Sequence, residues 1–331
     1  MIKKDGVSVH GERRPLADVV PLAMPYALTV FPMRACNFRC FYCRLTQAKS
    51  DQEKFSKNVQ LPLATFYRLV DQIRAVGKRQ LKVLHFVGWG EPLLHPDLPE
   101  MIRYAKEKEI AESIDVVTNG SLLHKELSRK LIAAGLDWLR ISIQGMDAEK
   151  YREVSGVDLD FSAFVAHIRE FHEMTKVCGG GTKVYVKILD FALDKEEHFH
   201  EVFDPVADLT AVEHLVPLAD ENTSDVAQLG GEISSARLCS FPFYQCLLNP
   251  DGDILPCCVG DNDLAVGNIL KEDFPSIWTG RALNDMRCHL LRDERHLYAS
   301  CRDCRPFRNI MCREDMLDDD AERVLQKFQD L

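Results

Sequence analysis

Cys36, Cys40 and Cys43 stand in one short stretch, Cys36-Asn37-Phe38-Arg39-Cys40-Phe41-Tyr42-Cys43. Thiolates separated by three and then two residues in a single loop can hold three corners of a cubane iron–sulfur cluster, which leaves one iron without a protein ligand. A small molecule with an amine and a carboxylate can chelate that open iron. Zinc suits the stretch less well, because structural zinc takes four ligands, usually as two separated pairs, and no His or fourth Cys lies beside this loop. Buried bystander thiols would not be expected to bunch in a loop flanked by Arg34, Asn37 and Arg39.

A second thiol pattern lies far downstream, as Cys239-x12-Gly252-x4-Cys257-Cys258 followed by Cys301-x2-Cys304. Asn249-Pro250-Asp251-Gly252 between short apolar runs predicts a hairpin that carries Cys239 and Cys257 toward each other. Distant pairs folding onto one site suit a four-thiolate zinc site and a four-thiolate iron–sulfur cluster equally.

The chain that must position these thiols has 331 residues, 12 cysteines and a formal net charge of −10. Its length allows one large or two modest domains. The cysteines are laid out unlike a small secreted disulfide scaffold, and a reducing cytoplasm with metal-bound thiolates is the expected setting. No leader pattern and no apolar run near the roughly 18 residues that span a bilayer is expected to place it in a membrane. The acidic balance argues against nucleic acid as a partner.

Taken in order, residues 1–25 read as an irregular lead-in punctuated by Pro15, Pro21 and Pro25. Strand-like runs follow at 27–33, 81–86, 114–118, 138–143, 183–189 and 212–216, with helical periodicity between them near 62–77, 97–109, 123–134, 160–176 and 195–206. Strands alternating with helices predict a parallel sheet with right-handed crossovers, an α/β partial (β/α)6 TIM-like barrel with chemistry at its C-terminal strand ends. The first cysteine loop falls at one of those ends. Residues 217–236 are polar and contain Gly230-Gly231, a natural boundary, and Asp318–Asp320 opens a helix-like tail within 313–331. Cys178-Gly-Gly-Gly181 reads as a flexible connector, and no histidine is assigned a role; His198 and His200 would face different sides of a helix.

Cys-x3-Cys-x2-Cys with an aromatic before the last Cys resembles the signature of the radical S-adenosylmethionine (SAM) enzymes, and the resemblance covers roughly residues 26–220. Gly88-Trp89-Gly90-Glu91-Pro92 is similar to that family's Gly-Gly-Glu-Pro motif for the SAM amino group, with Trp89 in place of the first glycine. Thr118 and Asn119 after the third strand, and Ser142 and Gln144 after the fourth, stand where the family meets the ribose and carboxylate of SAM, and Tyr42 is a candidate to lie against the adenine. Residues 237–312 resemble the SPASM/twitch extension with its auxiliary [4Fe–4S] clusters. The sparse cysteines after Cys304 favour a single-cluster twitch form with Cys239, Cys257, Cys301 and Cys304 as ligands; Cys246 is the alternative to Cys239.

The resemblance implies reductive SAM cleavage at the cluster of Cys36, Cys40 and Cys43, with a 5′-deoxyadenosyl radical taking hydrogen from substrate. An auxiliary cluster near the substrate would assist oxidation or bond formation, whereas a thiol hydrogen donor, Cys258 being the candidate, would give epimerisation. A small-molecule, sugar-like or peptide substrate is expected, with a flavodoxin or ferredoxin as reductant. Two readings of another class stand beside this one: a non-catalytic zinc- or iron–sulfur-binding interaction protein, and a two-cluster electron carrier.

Overall fold

The computed structural model describes residues 14–47, 56–78, 80–177, 181–215, 236–257, 262–307 and 311–329. Strands β1 (Ala27–Val30), β2 (Leu81–Phe86), β3 (Ala111–Thr118), β4 (Trp138–Ile143), β5 (Lys183–Leu189) and β6 (Leu209–Glu213) lie parallel in the order β6-β5-β4-β3-β2-β1. The helices Leu63–Val76, Leu98–Glu107, Lys125–Ala133, Phe161–Val177 and Glu196–Phe203 connect successive strands. This is an α/β fold of the partial TIM-like barrel type. Its core is the helix-covered face of the sheet, where Leu28, Leu84, Ile114, Leu139 and Val186 are fully buried. Residues at alternate strand positions share a face, so side chains between these point the other way, into the lumen.

The expected strands and crossover helices form, with shifted edges. β3 starts at Ala111 and β6 at Leu209, earlier than the apolar runs suggest. Asp208 explains the second shift: its backbone N–H donates to the Val184 carbonyl, and its carboxylate accepts from Val184 N, both at 2.8 Å, pinning the start of β6 to β5. A helix absent from the sequence reading, Ala148–Ser155, starts where Asp147 caps the Lys150 N–H and ends at left-handed Gly156.

The sheet does not stop at β1. Strand β7 (Gln245–Leu248) pairs parallel with it, and β8 (Asp253–Leu255) and β9 (Gly267–Asn268) extend the sheet antiparallel to nine strands. The predicted hairpin at Asn249–Gly252 is therefore continuous with the barrel sheet. Nor is the lead-in wholly irregular. Leu16–Val19 forms a helical turn buried against Phe243, Leu291 and Phe328, the last on the tail helix Ala321–Gln329. Cys178, Cys258 and most of the 217–236 boundary lie outside the described residues. No helix among the described residues is long and apolar enough to cross a membrane.

Candidate functional site

The loop carrying Cys36, Cys40 and Cys43 begins just past β1 and is gripped from two sides. Arg34 N donates to the Val59 carbonyl at 2.7 Å. Arg39 N and Phe41 N donate to the carbonyls of Ser155 and Val154, at the C-terminal end of the helix Ala148–Ser155. The ring of Tyr151 on that helix meets Phe38 edge to face at 6.2 Å. The unforeseen helix is thus the clamp on the cysteine loop.

The three thiols fit a cationic iron cluster. Burial pushes the Cys36 thiol up to about 11 and Cys40 to about 12, neighbouring thiols adding to the effect, and burial also raises Cys43. Three such thiols resist ionising unless a positive centre joins them, which iron ligation supplies. Donors for a sulfur anion are already in place: Phe38 N lies 3.3 Å and Asn119 Nδ2 3.9 Å from Cys36 Sγ. Among the described residues no three His, Cys, Asp or Glu side chains close on a single ion; a cubane, held at its corners, does not need them to.

The strap Gly88–Pro92 after β2 is bolted to this loop. A Cβ on Gly90 would stand 1.9 Å from the Met33 carbonyl oxygen, and one on Gly88 2.1 Å from the Phe31 ring, so the glycines admit the cysteine loop and the end of β1. Glu91, 2 % exposed, accepts from Leu93 N (2.9 Å) and Thr118 Oγ1 (2.6 Å) through one oxygen and from Asn119 N (2.8 Å) through the other. Its carboxylate, expected to face an ammonium, is taken up by protein donors and ties the ends of β2 and β3 together. Thr118 is absorbed into the same knot, while Asn119 donates to Asn37 Oδ1 at 2.9 Å, which brings it to the cysteine loop.

Trp89, which breaks the expected glycine pair, packs with Phe31, Leu247 and Leu255, and the Arg44 guanidinium lies 5.7 Å from its ring centroid. It therefore joins the strap to the β7–β8 hairpin. Tyr42 Oη donates to Gln144 Oε1 at 2.6 Å, and the Tyr42, Phe41 and Phe191 rings cluster with centroids 5.5–5.6 Å apart. Phe191, in the turn after β5, and Asn37 were not singled out in the sequence. Asn37 lay in plain view inside the cysteine stretch, whereas Phe191 carried no signal beyond its place after a strand. Ser142 projects to the lumen face of β4, next to β5.

The second set of thiols also comes together. Cys257 is buried with Phe241, Phe307 and Met311, against which Cys239 and Cys304 pack, and Cys301 shares a neighbouring cluster with Cys239. Burial, reinforced by the neighbouring thiols, drives Cys239 far up and Cys301 and Cys304 to about 12, the situation of the first loop again. Cys246 does not belong to this group: it sits on β7 in the main core, 1 % exposed.

The geometry has its counterpart in comparisons with known proteins. The Radical SAM superfamily model matches residues 30–200, just over half the chain, which include the loop, the strap and the strand ends described above. This chain belongs to the radical SAM superfamily. An iron-sulfur cluster-binding domain of the SPASM type matches residues 239–305, from the first to just past the last of the second thiols. The cofactors of this radical SAM protein are accordingly SAM, a [4Fe–4S] cluster and auxiliary iron–sulfur. Among curated relatives, the GTP 3′,8-cyclase of Chlorobaculum tepidum is 35 % identical over 124 residues, covering 38 % of this chain and 34 % of the relative. A probable GTP 3′,8-cyclase of Sulfolobus acidocaldarius is 38 % identical over 125 residues, covering 38 % and 36 %. The chain spans little more than a third of the length of these relatives. Among solved structures, native anSMEcpe with bound AdoMet shares the fold at TM-score 0.59 and 15 % identity, over 92 % of this chain and 96 % of that one. BtrN in complex with AdoMet and 2-DOIA does so at TM-score 0.55 and 17 % identity, over 85 % and 93 %.

Proposed function

We propose that this radical SAM enzyme takes hydrogen from an unactivated position of a small substrate and oxidises it with loss of a proton, and that Cys239, Cys257, Cys301 and Cys304 would hold an auxiliary cluster able to accept the remaining electron. The observation that carries the reading is the pairing of two thiol sets: three thiols in a loop that leaves one iron open, and four gathered where the chain continues the barrel sheet. When bound, SAM and the three-thiolate cluster supply the 5′-deoxyadenosyl radical.

The residues of the chain perform the rest. Cys36, Cys40 and Cys43 hold the first cluster, and Asn119 and Phe38 N steady the Cys36 sulfur. The strap Gly88–Gly90 offers backbone beside that cluster for the SAM amino group, with Glu91 fixing its shape. Tyr42 and Phe191 provide aromatic surface for the adenine and Ser142 a hydroxyl for the ribose, while Gln144, buried and bonded to Tyr42 Oη and the Ser142 carbonyl, holds that surface in place. The lumen keeps water and competing hydrogen donors from a reactive carbon. We place the protein in the cytoplasm, with a flavodoxin- or ferredoxin-type reductant.

A second reading, bond formation on a nucleotide, is favoured by the relatives named GTP 3′,8-cyclase. Epimerisation would need Cys258 or another thiol as hydrogen donor. The test begins with anaerobic reconstitution, iron and sulfide counts, and then dithionite, SAM and an assay for 5′-deoxyadenosine. About eight irons with 5′-deoxyadenosine support the two-cluster enzyme. Iron without SAM cleavage rejects it, and cyclised product from GTP selects the second reading.

A further inference from the structure

On β2 to β6 the face away from the helices carries His85, Asp115, Arg140, Tyr185, Lys187 and Glu213, which form one continuous ladder. His85 Nδ1 and Asp115 Oδ1 are 2.5 Å apart, and Arg140 Nη1 donates to Asp115 Oδ2 at 3.3 Å. The Arg140 guanidinium lies 5.4 Å from the Tyr185 ring centroid. Tyr185 Oη donates to Glu213 Oε1 at 3.0 Å, and Lys187 Nζ to Glu213 Oε2 at 2.7 Å. The side chains of His85, Arg140 and Lys187 keep 21 %, 24 % and 21 % of their area exposed. On strands whose opposite face is buried under helices, that exposure opens into the lumen.

The ladder is unbalanced in one respect. All four carboxylate oxygens of Asp115 and Glu213 already meet a protein group. The donors are in excess: Arg140 commits only Nη1 and Lys187 a single bond among the described residues, so the Nε–Nη2 edge of the guanidinium is unmatched. Such an edge is the planar fork that fits the two oxygens of a carboxylate. A polyol can accept bonds from the same donors, but its uncharged hydroxyls gain less from the Arg140 and Lys187 cations than a carboxylate does. A triphosphate would bring several negative charges to a ladder whose Arg140 and Lys187 are offset one for one by Asp115 and Glu213. Lys187 is also in register with Ser142, one of the cofactor candidates, and Arg140 lies one lumen-facing step below it.

We propose that this ladder is the substrate-recognition surface of the enzyme, and that it takes a substrate bearing a single carboxylate, held by the Arg140 fork and the Lys187 ammonium. The proposal rests on the radical SAM reading of the site and adds to it the class of substrate.

The experiment uses the full-length reconstituted protein with SAM bound, and equilibrium dialysis against labelled benzoate and its neutral isostere benzamide, with GTP as competitor. Benzoate is expected to bind at least about tenfold more tightly than benzamide. Arg140→Gln and Lys187→Met should each weaken benzoate about tenfold and leave benzamide and SAM affinity unchanged. Arg140→Lys, which can keep the bond to Asp115 and loses the fork, should weaken benzoate as well, so the result does not hinge on a variant that disturbs folding. Equal binding of the two probes, or benzoate binding indifferent to these substitutions, overturns the proposal. So does a parallel loss of SAM affinity, which would assign the donors to the cofactor, or displacement of benzoate by GTP at equal concentration. Probe-free formation of 5′-deoxyadenosine is assayed alongside. Cleavage without benzoate binding removes only this proposal, whereas its failure in the unaltered protein removes the reading beneath it.

Discussion

Tyr42 Oη donates to Gln144 Oε1 across 2.6 Å, tying the residue before the third cysteine to the turn after β4. Gln144 is 4 % exposed, so loss of the phenol leaves its oxygen buried without this donor. Tyr42→Phe should cost about 1–3 kcal/mol of stability. It should also speed iron loss to a chelator, because the loop loses its fastening on the β4 side. Unchanged melting and unchanged chelation kinetics would show that the bond does not hold the loop.

Glu91 joins two strand ends through three protein donors. Glu91→Gln preserves shape but turns an amide donor toward a donor, either Asn119 N or the pair formed by Leu93 N and Thr118 Oγ1. We expect about 1–3 kcal/mol of destabilisation together with weaker SAM binding, since Asn119 shifts with the strap. Calorimetry of unfolding and SAM titration read the two effects separately. A stability loss with unaltered SAM affinity would confine Glu91 to a structural role.

Trp89 accounts for the departure from the glycine pair. Its ring packs between Phe31 and the hairpin residues Leu247 and Leu255. Trp89→Gly restores the commoner motif and removes that contact. Its ring is half-buried, so the expected cost is about 2 kcal/mol, below that of a full core truncation. The first cluster should still assemble, as counted by iron per chain and by absorbance.

Cys301→Ala should lower the iron content from about eight to about four per chain and spare the cluster of the first loop. Cys246→Ala, directed at a thiol in the main core, should leave the iron count unchanged and reduce stability alone. A drop in iron for Cys246→Ala and none for Cys301→Ala would reverse the ligand assignment.

The alternation of strand and helix was legible because a parallel sheet covered by helices demands apolar runs separated by amphipathic ones. The thiol loop was legible from spacing. The helix Ala148–Ser155 was not, since Ala148-Glu-Lys-Tyr-Arg-Glu-Val-Ser155 is short and mostly polar, and only the Asp147 cap and Gly156 mark it. The parallel pairing of Gln245–Leu248 with β1 is a contact between residues more than two hundred positions apart, which local pattern does not encode. The lumen ladder had a faint signal. Asp115, Arg140 and Lys187 interrupt strands that should read as continuously apolar, and such interruptions mark a polar lumen. Which of them meet depends on register, and register emerges only with the fold.

Asp115 gives that ladder its most direct test. It is 1 % exposed, and burial alone would raise its carboxyl, but the charges and hydrogen bonds of His85 and Arg140 hold it below the usual range. The folded state therefore binds this proton less tightly than the unfolded chain does. The stabilisation from Asp115 is present above the unfolded carboxylate range and is lost as pH falls through the folded value. Asp115→Asn breaks the pairing and leaves Arg140 without its partner, at a cost of about 3 kcal/mol near neutral pH. The gap between the two proteins should then narrow as pH is lowered into the acid range, since the unaltered chain loses the same interaction by protonation. Denaturant unfolding of both proteins across that range measures the gap, and a constant difference would show that Asp115 contributes by packing and not by charge.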